Sequence, residues 1–193
     1  LRDGWSQTRA SIQNLMDFLR EYLDSDTSNP PHENVVVFDE AQRAWDQHYG
    51  KKKFGRFESE PKLVLSIMER HPEWSVVIAL VGSGQEINSG EGGLRLWGEA
   101  ICDLNSRCDE APWFISASPH VISGTSIAAG DTLCEDISLV SDVLLEDEAL
   151  HLPVSVRSHR CEVVNEWIDC LLNGNRFEAR KKANDIPDFR VFM

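Results

Sequence analysis

The sequence predicts an α/β fold in which a mainly parallel sheet is flanked by helices, and three observations carry that prediction. Two apolar runs, "NVVVFD" at residues 34–39 and "WSVVIALVG" at residues 74–82, have no polar alternation and read as strands buried on both faces. Segments with apolar residues at helical spacing lie between and after these runs. Asp39–Glu40 and Gly82–Gln85 both fall at the carboxyl ends of predicted strands, where open parallel sheets bind their ligands.

Taken in order, Ile12, Leu15, Met16, Leu19 and Leu23 predict an amphipathic helix from Ser6 to Leu23, followed by a polar, Pro-bearing loop. The first buried strand comes next, and residues 41–59 then read as polar and irregular. "EPKLVLSIMERH" predicts a helix with Leu63, Val64, Ile67 and Met68 inward, leading to the strand Trp74–Gly82. After the Gly-rich loop "SGQEINSGEGG", residues Leu94, Trp97, Ile101 and Leu104 mark another helix face, and "PWFISAS" a third strand. "HVISGTSIAAGDTL" reads as loop, and "ISLVSDVLLEDEAL" suits helix and strand alike. "HLPVSVRS" predicts a strand before a helix whose core face is Val163, Val164, Trp167, Ile168, Leu171 and Leu172. The tail after Gly174 is polar, and "DFRVFM" has the pattern of a strand.

Composition narrows the class. With 41% hydrophobic and 26% charged residues, the 193-residue chain suits one folded domain, or one and a fragment. No apolar run approaches the roughly 18 residues of a membrane helix, and "LRDGWSQTRA" has no signal-peptide apolar region. The missing initiator Met suggests an excised piece. The five cysteines lack C-x-x-C spacing and read as reduced thiols, which points to a cytoplasmic location. A formal net charge of -13 weighs against a broad nucleic-acid footprint, because phosphate binding rests on Lys and Arg. "GKKKFGR", Gly50 to Arg56, is the one strongly basic stretch, suited to a solvated loop or a local contact.

An apolar strand closing in Asp-Glu is the Walker B pattern. Its first carboxylate, Asp39, is suited to the hydration shell of Mg²⁺, a hard cation that prefers oxygen ligands. Its second, Glu40, can orient and deprotonate the water that attacks a γ-phosphate. A nuclease reading of Asp39, Glu40 and Asp46 lacks the spaced carboxylates of a two-metal site.

"DEAQ" followed by "RAW", and "ALVGSGQEIN" at Ala79–Asn88, resemble motifs II and III of superfamily 1 helicases. That resemblance makes Gln42 a coupling residue at the nucleotide and Gln85 the γ-phosphate sensor. Ser83 stands where the pattern usually carries Asp. "LPVSVRSHR", Leu152–Arg160, resembles motif IV and would bring Arg157 to the γ-phosphate. Trp45 is left out of the catalytic set, since Trp at such a point packs more often than it binds. Together with "KKFGR-ESEP" and "IMERHPEWSVVIALVG-GQEIN-GE-GL--WG", these motifs resemble the bacterial DNA/RNA helicase family classed as Schlafen group 3-like. The resemblance implies a RecA-like P-loop ATPase core using ATP and Mg²⁺, with DNA or RNA as partner. Residues 1–175 would be a partial RecA-like domain, and 176–193 a linker or the start of a second.

A P-loop is missing from the chain. The Gly50-Lys51 pair fails because Trp45 replaces the first Gly and Lys52 the Ser or Thr. The expectation is therefore a middle piece of a longer motor whose P-loop precedes Leu1, or else a non-catalytic RecA-like module or degenerate ATPase. The strands ending at Asp39 and near Val81 should pair, and a later strand or another chain should close the open edge of the second.

Overall fold

The computed structural model describes residues 12–23, 28–82, 91–107, 112–124, 131–152 and 162–186. The chain forms two compact units, Leu1–Leu150 and His151–Met193.

The first unit opens with α1 (Leu15–Leu23), whose Leu19 is fully buried. The helix is shorter than its periodicity predicts: Ile12 lies outside it and is exposed, and residues 6–11 lie outside the described residues. Strand β1 (Val35–Phe38) follows. Residues 41–59, expected to be irregular, instead form a 3₁₀ turn at Ala41–Arg43 and helix α2 (Gln47–Phe54). Helix α2 is mostly polar and has no apolar stripe beyond Tyr49 and Phe54, so periodicity could not find it. It is held by its ends: Asp46 accepts the His48 and Tyr49 amides at 3.0 and 2.9 Å, and Gly55 closes it at φ 69°.

Gly50 places α2 against its neighbour. A Cβ there would stand 2.0 Å from the Glu58 carbonyl oxygen, so the helix rests directly on backbone. Gly50→Ala is expected to destabilise the fold by about 2 kcal/mol, because backbone must move to admit the methyl group. A shift under about 0.5 kcal/mol in a urea titration would show that α2 rides loosely.

Helix α3 (Glu60–Met68) carries Pro61 in its first turn, where a missing amide costs nothing. Its Leu63, Val64, Ile67 and Met68 are buried as the spacing predicts. It packs on α4 (Arg95–Asn105), which contributes Trp97, Ala100, Ile101 and Leu104 to the same core. Strand β2 (Val76–Ala79) pairs with β1 in parallel, Val35 opposite Val76 and Phe38 opposite Ala79. The pairing runs past the strand ends, since Leu80 donates to the Phe38 carbonyl and Ala41 to the Leu80 carbonyl, both at 2.8 Å.

A second parallel pair joins β3 (Ile115–Ala117) to β4 (Leu144–Glu146). The stretch read as suiting helix and strand alike holds a 3₁₀ turn at Ile137–Leu139, then β4, then a second 3₁₀ turn at Glu148–Leu150. The segment read as loop begins with a short helix, α5 (Pro119–Ser123).

Burial on both faces, expected for β1 and β2, is not what the described residues show. Val36 and Val77 pack against the core, whereas Val35, Val37, Val76 and Ile78 on the opposite face are 42–58% exposed. Successive side chains of a strand point to opposite faces, so an unbroken apolar run measures capacity for burial rather than burial itself. The expected closure of the β2 edge is also not seen: among the described residues β2 pairs with β1 alone.

The second unit is a helical hairpin of α6 (Glu162–Leu172) and α7 (Arg176–Ala183). Gly174 turns the chain at φ 70°, Asn175 caps α7 through the Glu178 amide, and Lys182 pairs with Glu166. The predicted core face of α6 is exposed at Ile168, Leu171 and Leu172. The polar tail folds as α7, a helix without an apolar stripe. The predicted strands at 153–158 and 188–193 lie outside the described residues. Among the described residues no helix is long and apolar enough to cross a membrane.

Candidate functional site

The two adjacent carboxylates stand where β1 ends. Asp39 is exposed, and its Oδ1 accepts the Glu40 amide at 3.0 Å. Glu40 adopts φ 54°, ψ 43°, and is the one non-glycine residue with positive φ among the described residues. A left-handed conformation costs an L-residue roughly 1–2 kcal/mol, so neighbouring contacts must hold it. Those contacts are visible. The Glu40 carbonyl accepts the Arg43 amide at 2.9 Å, and its carboxylate accepts Gln42 Nε2 at 2.8 Å.

Gln42 is buried and bridges two segments. Its Nε2 donates to Glu40, while its Oε1 accepts the Gly82 amide at 3.0 Å. A carboxylate only accepts and an amide N–H only donates, so these partners fix which way the side-chain amide points. One residue thereby links the second carboxylate to the start of the Gly-rich stretch.

Trp97 secures the turn from below. Its indole Nε1 donates to the Ala41 carbonyl at 2.9 Å, and its ring meets Phe38 edge-on with centroids 5.1 Å apart. The sequence places Trp97 on a core face; its clamp on the turn is visible only in the structure.

A second cluster was not anticipated at all. Arg43 donates through Nε and Nη2 to Glu91 Oε1, at 3.2 and 3.1 Å, and the Glu91 carboxylate is buried. Trp45 bridges to Glu91 in antiparallel fashion, and Gly92 donates to the Ala44 carbonyl at 3.0 Å. Glu60, buried at the start of α3, donates its amide to the Trp45 carbonyl and accepts the Trp45 amide at 2.9 Å. Burial pushes the Glu60 carboxyl up to about 7; the nearby Glu91 charge adds to the shift, and the Trp45 amide opposes it. Residues 83–90, outside the described residues, are thus flanked on both sides by anchors to residues 41–45. The only sequence signal was a Glu inside a Gly-rich run, which reads as an ordinary turn.

Of the sequence-predicted site residues, Asp39, Glu40 and Gln42 come together, whereas Gln85 and Arg157 lie outside the described residues. Gly50 and Lys51 are internal to α2, whose amides serve the helix. They form no phosphate cradle. Among the described residues no group of three or more His, Cys, Asp or Glu is placed to hold a metal ion. Mg²⁺ with a bound nucleotide needs only one or two carboxylates, with water and phosphate completing its shell, and the exposed Asp39 meets that requirement. Cys102, Cys134 and Cys170 are unbridged, and burial raises the Cys102 thiol and pushes that of Cys134 up to about 11, so these two are poor nucleophiles.

Comparison with known families matches residues 2–193 to "Schlafen group 3, DNA/RNA helicase domain". No curated protein and no solved structure matches the chain.

Proposed function

The chain belongs to the Schlafen group 3 DNA/RNA helicase domain family, and from that premise we propose that it carries the hydrolytic carboxylates of an ATP-dependent helicase or translocase with a RecA-like core. One observation carries the reading. Asp39 and Glu40 directly follow a parallel strand, with Glu40 held in a left-handed turn by a glutamine that also binds the segment after the neighbouring strand.

In this reading Asp39 holds Mg²⁺, and Glu40 orients and deprotonates the attacking water. Gln42 keeps the Glu40 carboxylate in register with Gly82 and so couples the two motifs. Bound Mg²⁺·ATP supplies the reacting phosphate and neutralises its charge. Gln85 and Arg157 retain their roles of sensing and stabilising the γ-phosphate as part of the proposal. The partial RecA-like domain is taken as residues 1–175, with 176–193 as linker or the start of another. The phosphate cradle comes from another segment of polypeptide.

A second reading, a non-catalytic RecA-like module or degenerate ATPase, is favoured by one observation: the chain's only Gly-Lys pair is locked inside α2. Mg²⁺-dependent ATP hydrolysis by the longest natural polypeptide that carries this chain separates the two readings, assayed with and without single-stranded nucleic acid. Stimulated hydrolysis is expected, and Glu40→Gln should lower it by about a hundredfold. Hydrolysis absent from every form would leave the binding module.

A further inference from the structure

We propose that the basic last turn of α2 with the residues just after it, Lys51, Lys52, Lys53, Arg56 and Phe57, is a contact surface for single-stranded nucleic acid. The choice of nucleic acid over other polyanions rests on the helicase reading; the place and the preference for unpaired strands come from the surface itself.

The chain carries 32 acidic against 19 basic residues, yet residues 47–57 hold four cations and no carboxylate. All four cations are exposed. None has a carboxylate partner among the described residues, whereas nearby Lys62 is engaged by both Glu58 and Asp103. Charges farther off than about 8 Å are largely screened at physiological ionic strength, so the net charge of the chain does not cancel this cluster.

The rings give the surface its second property. Phe57 is 55% exposed, with the Lys51 ammonium 5.9 Å from its ring centroid and His48 edge-on at 5.2 Å. Lys53 sits 5.6 Å from the Tyr49 ring centroid, and that ring stacks on Trp45 at 4.1 Å. Tyr49 is already stacked, so the half-exposed Phe57 ring offers a base something to stack on and the neighbouring cations offer its phosphate something to pair with, which is how unpaired strands are held without sequence preference. A duplex, whose bases are already stacked, could use only the cations.

The surface is also firmly seated, by the Asp46 cap and the contact of Gly50 with Glu58. It is joined to the carboxylate turn through Trp45, whose amide is held by Glu60.

The test is the anisotropy of a labelled 20-nucleotide single strand titrated with this chain, without ATP, between 50 and 200 mM salt. Lys51→Gln/Lys52→Gln/Lys53→Gln is expected to weaken binding about a hundredfold at 0.1 M salt and to flatten the log–log salt slope by about 2. Phe57→Ala should weaken it roughly tenfold with the slope unchanged, because stacking releases no counterions. These side chains are exposed, so circular dichroism should match the parent. Unchanged affinity and slope in the triple variant would overturn the proposal, as would no binding by the parent chain at 50 mM salt. Equal competition by duplex would overturn the preference for single strands. Stronger displacement by poly-glutamate than by oligonucleotide would reassign the surface to an acidic polypeptide. Because ATP is absent from this assay, binding and hydrolysis are read separately, so failure of one is distinguishable from failure of the other.

Discussion

Trp97→Ala is expected to lower the stability of the first unit by about 4 kcal/mol, measured by urea unfolding. The ring is 5% exposed, sits in the core shared by α3 and α4, and closes edge-on against Phe38. Its removal leaves a cavity that close-packed neighbours fill only in part. It also strips the indole donor from the Ala41 carbonyl, which among the described residues keeps the Ala44 amide at 3.4 Å. Trp97→Phe separates the two contributions. It preserves much of the packing and loses the hydrogen bond, for an expected cost of about 1–2 kcal/mol. Against a total stability of about 5–15 kcal/mol, the alanine change is large. A loss below about 1 kcal/mol would show that the turn bearing Asp39 and Glu40 does not depend on α4.

Glu60→Gln is expected to act in the opposite direction. The buried carboxyl titrates near 7 in the native state and near its ordinary 4.5 when unfolded. Between those values the native protein holds a proton that the unfolded chain has released, so stability falls as pH rises through this window. The full cost, present above pH 7, is about 3 kcal/mol. The dipole at the start of α3 favours a carboxylate there, but by only about 0.3–1 kcal/mol, so burial wins. Glutamine keeps an oxygen for the Trp45 amide and carries no charge to bury. The variant should therefore gain about 2–3 kcal/mol at pH 8 and lose the slope between pH 4.5 and 7, as read from thermal midpoints across that range. A variant that is less stable than the parent at pH 8 would overturn this account. The electrostatic cost sits between Arg43–Glu91 and the backbone of Trp45, where burying a carboxylate holds the segment after Glu40 in place.

The strand-end carboxylates are the most legible part of the candidate site. Asp39, Glu40 and Gln42 are near neighbours in sequence, and an apolar strand closing in paired acids implies its chemistry from residue types alone. The partners that hold them were not legible. Gly82 lies 40 positions from Gln42, Glu91 lies 48 from Arg43, and Trp97 lies 56 from Ala41. No spacing rule connects such pairs.

The sequence by itself determined α3 and α4, whose buried faces recur at helical spacing, and located β1 and β2 as unbroken apolar runs. It did so because helical period and apolar run length are properties of neighbouring residues, written into the chain before it folds. Helices α2 and α7 escaped because they have no apolar stripe and rest on end caps, Asp46 and Asn175. Only the tertiary structure decided that one face of the β1–β2 pair stays exposed among the described residues, that Gln42 spans two segments, and that Glu60 shares a buried site with Glu91. Each of these depends on which distant groups share a small volume, and on how much water that volume excludes.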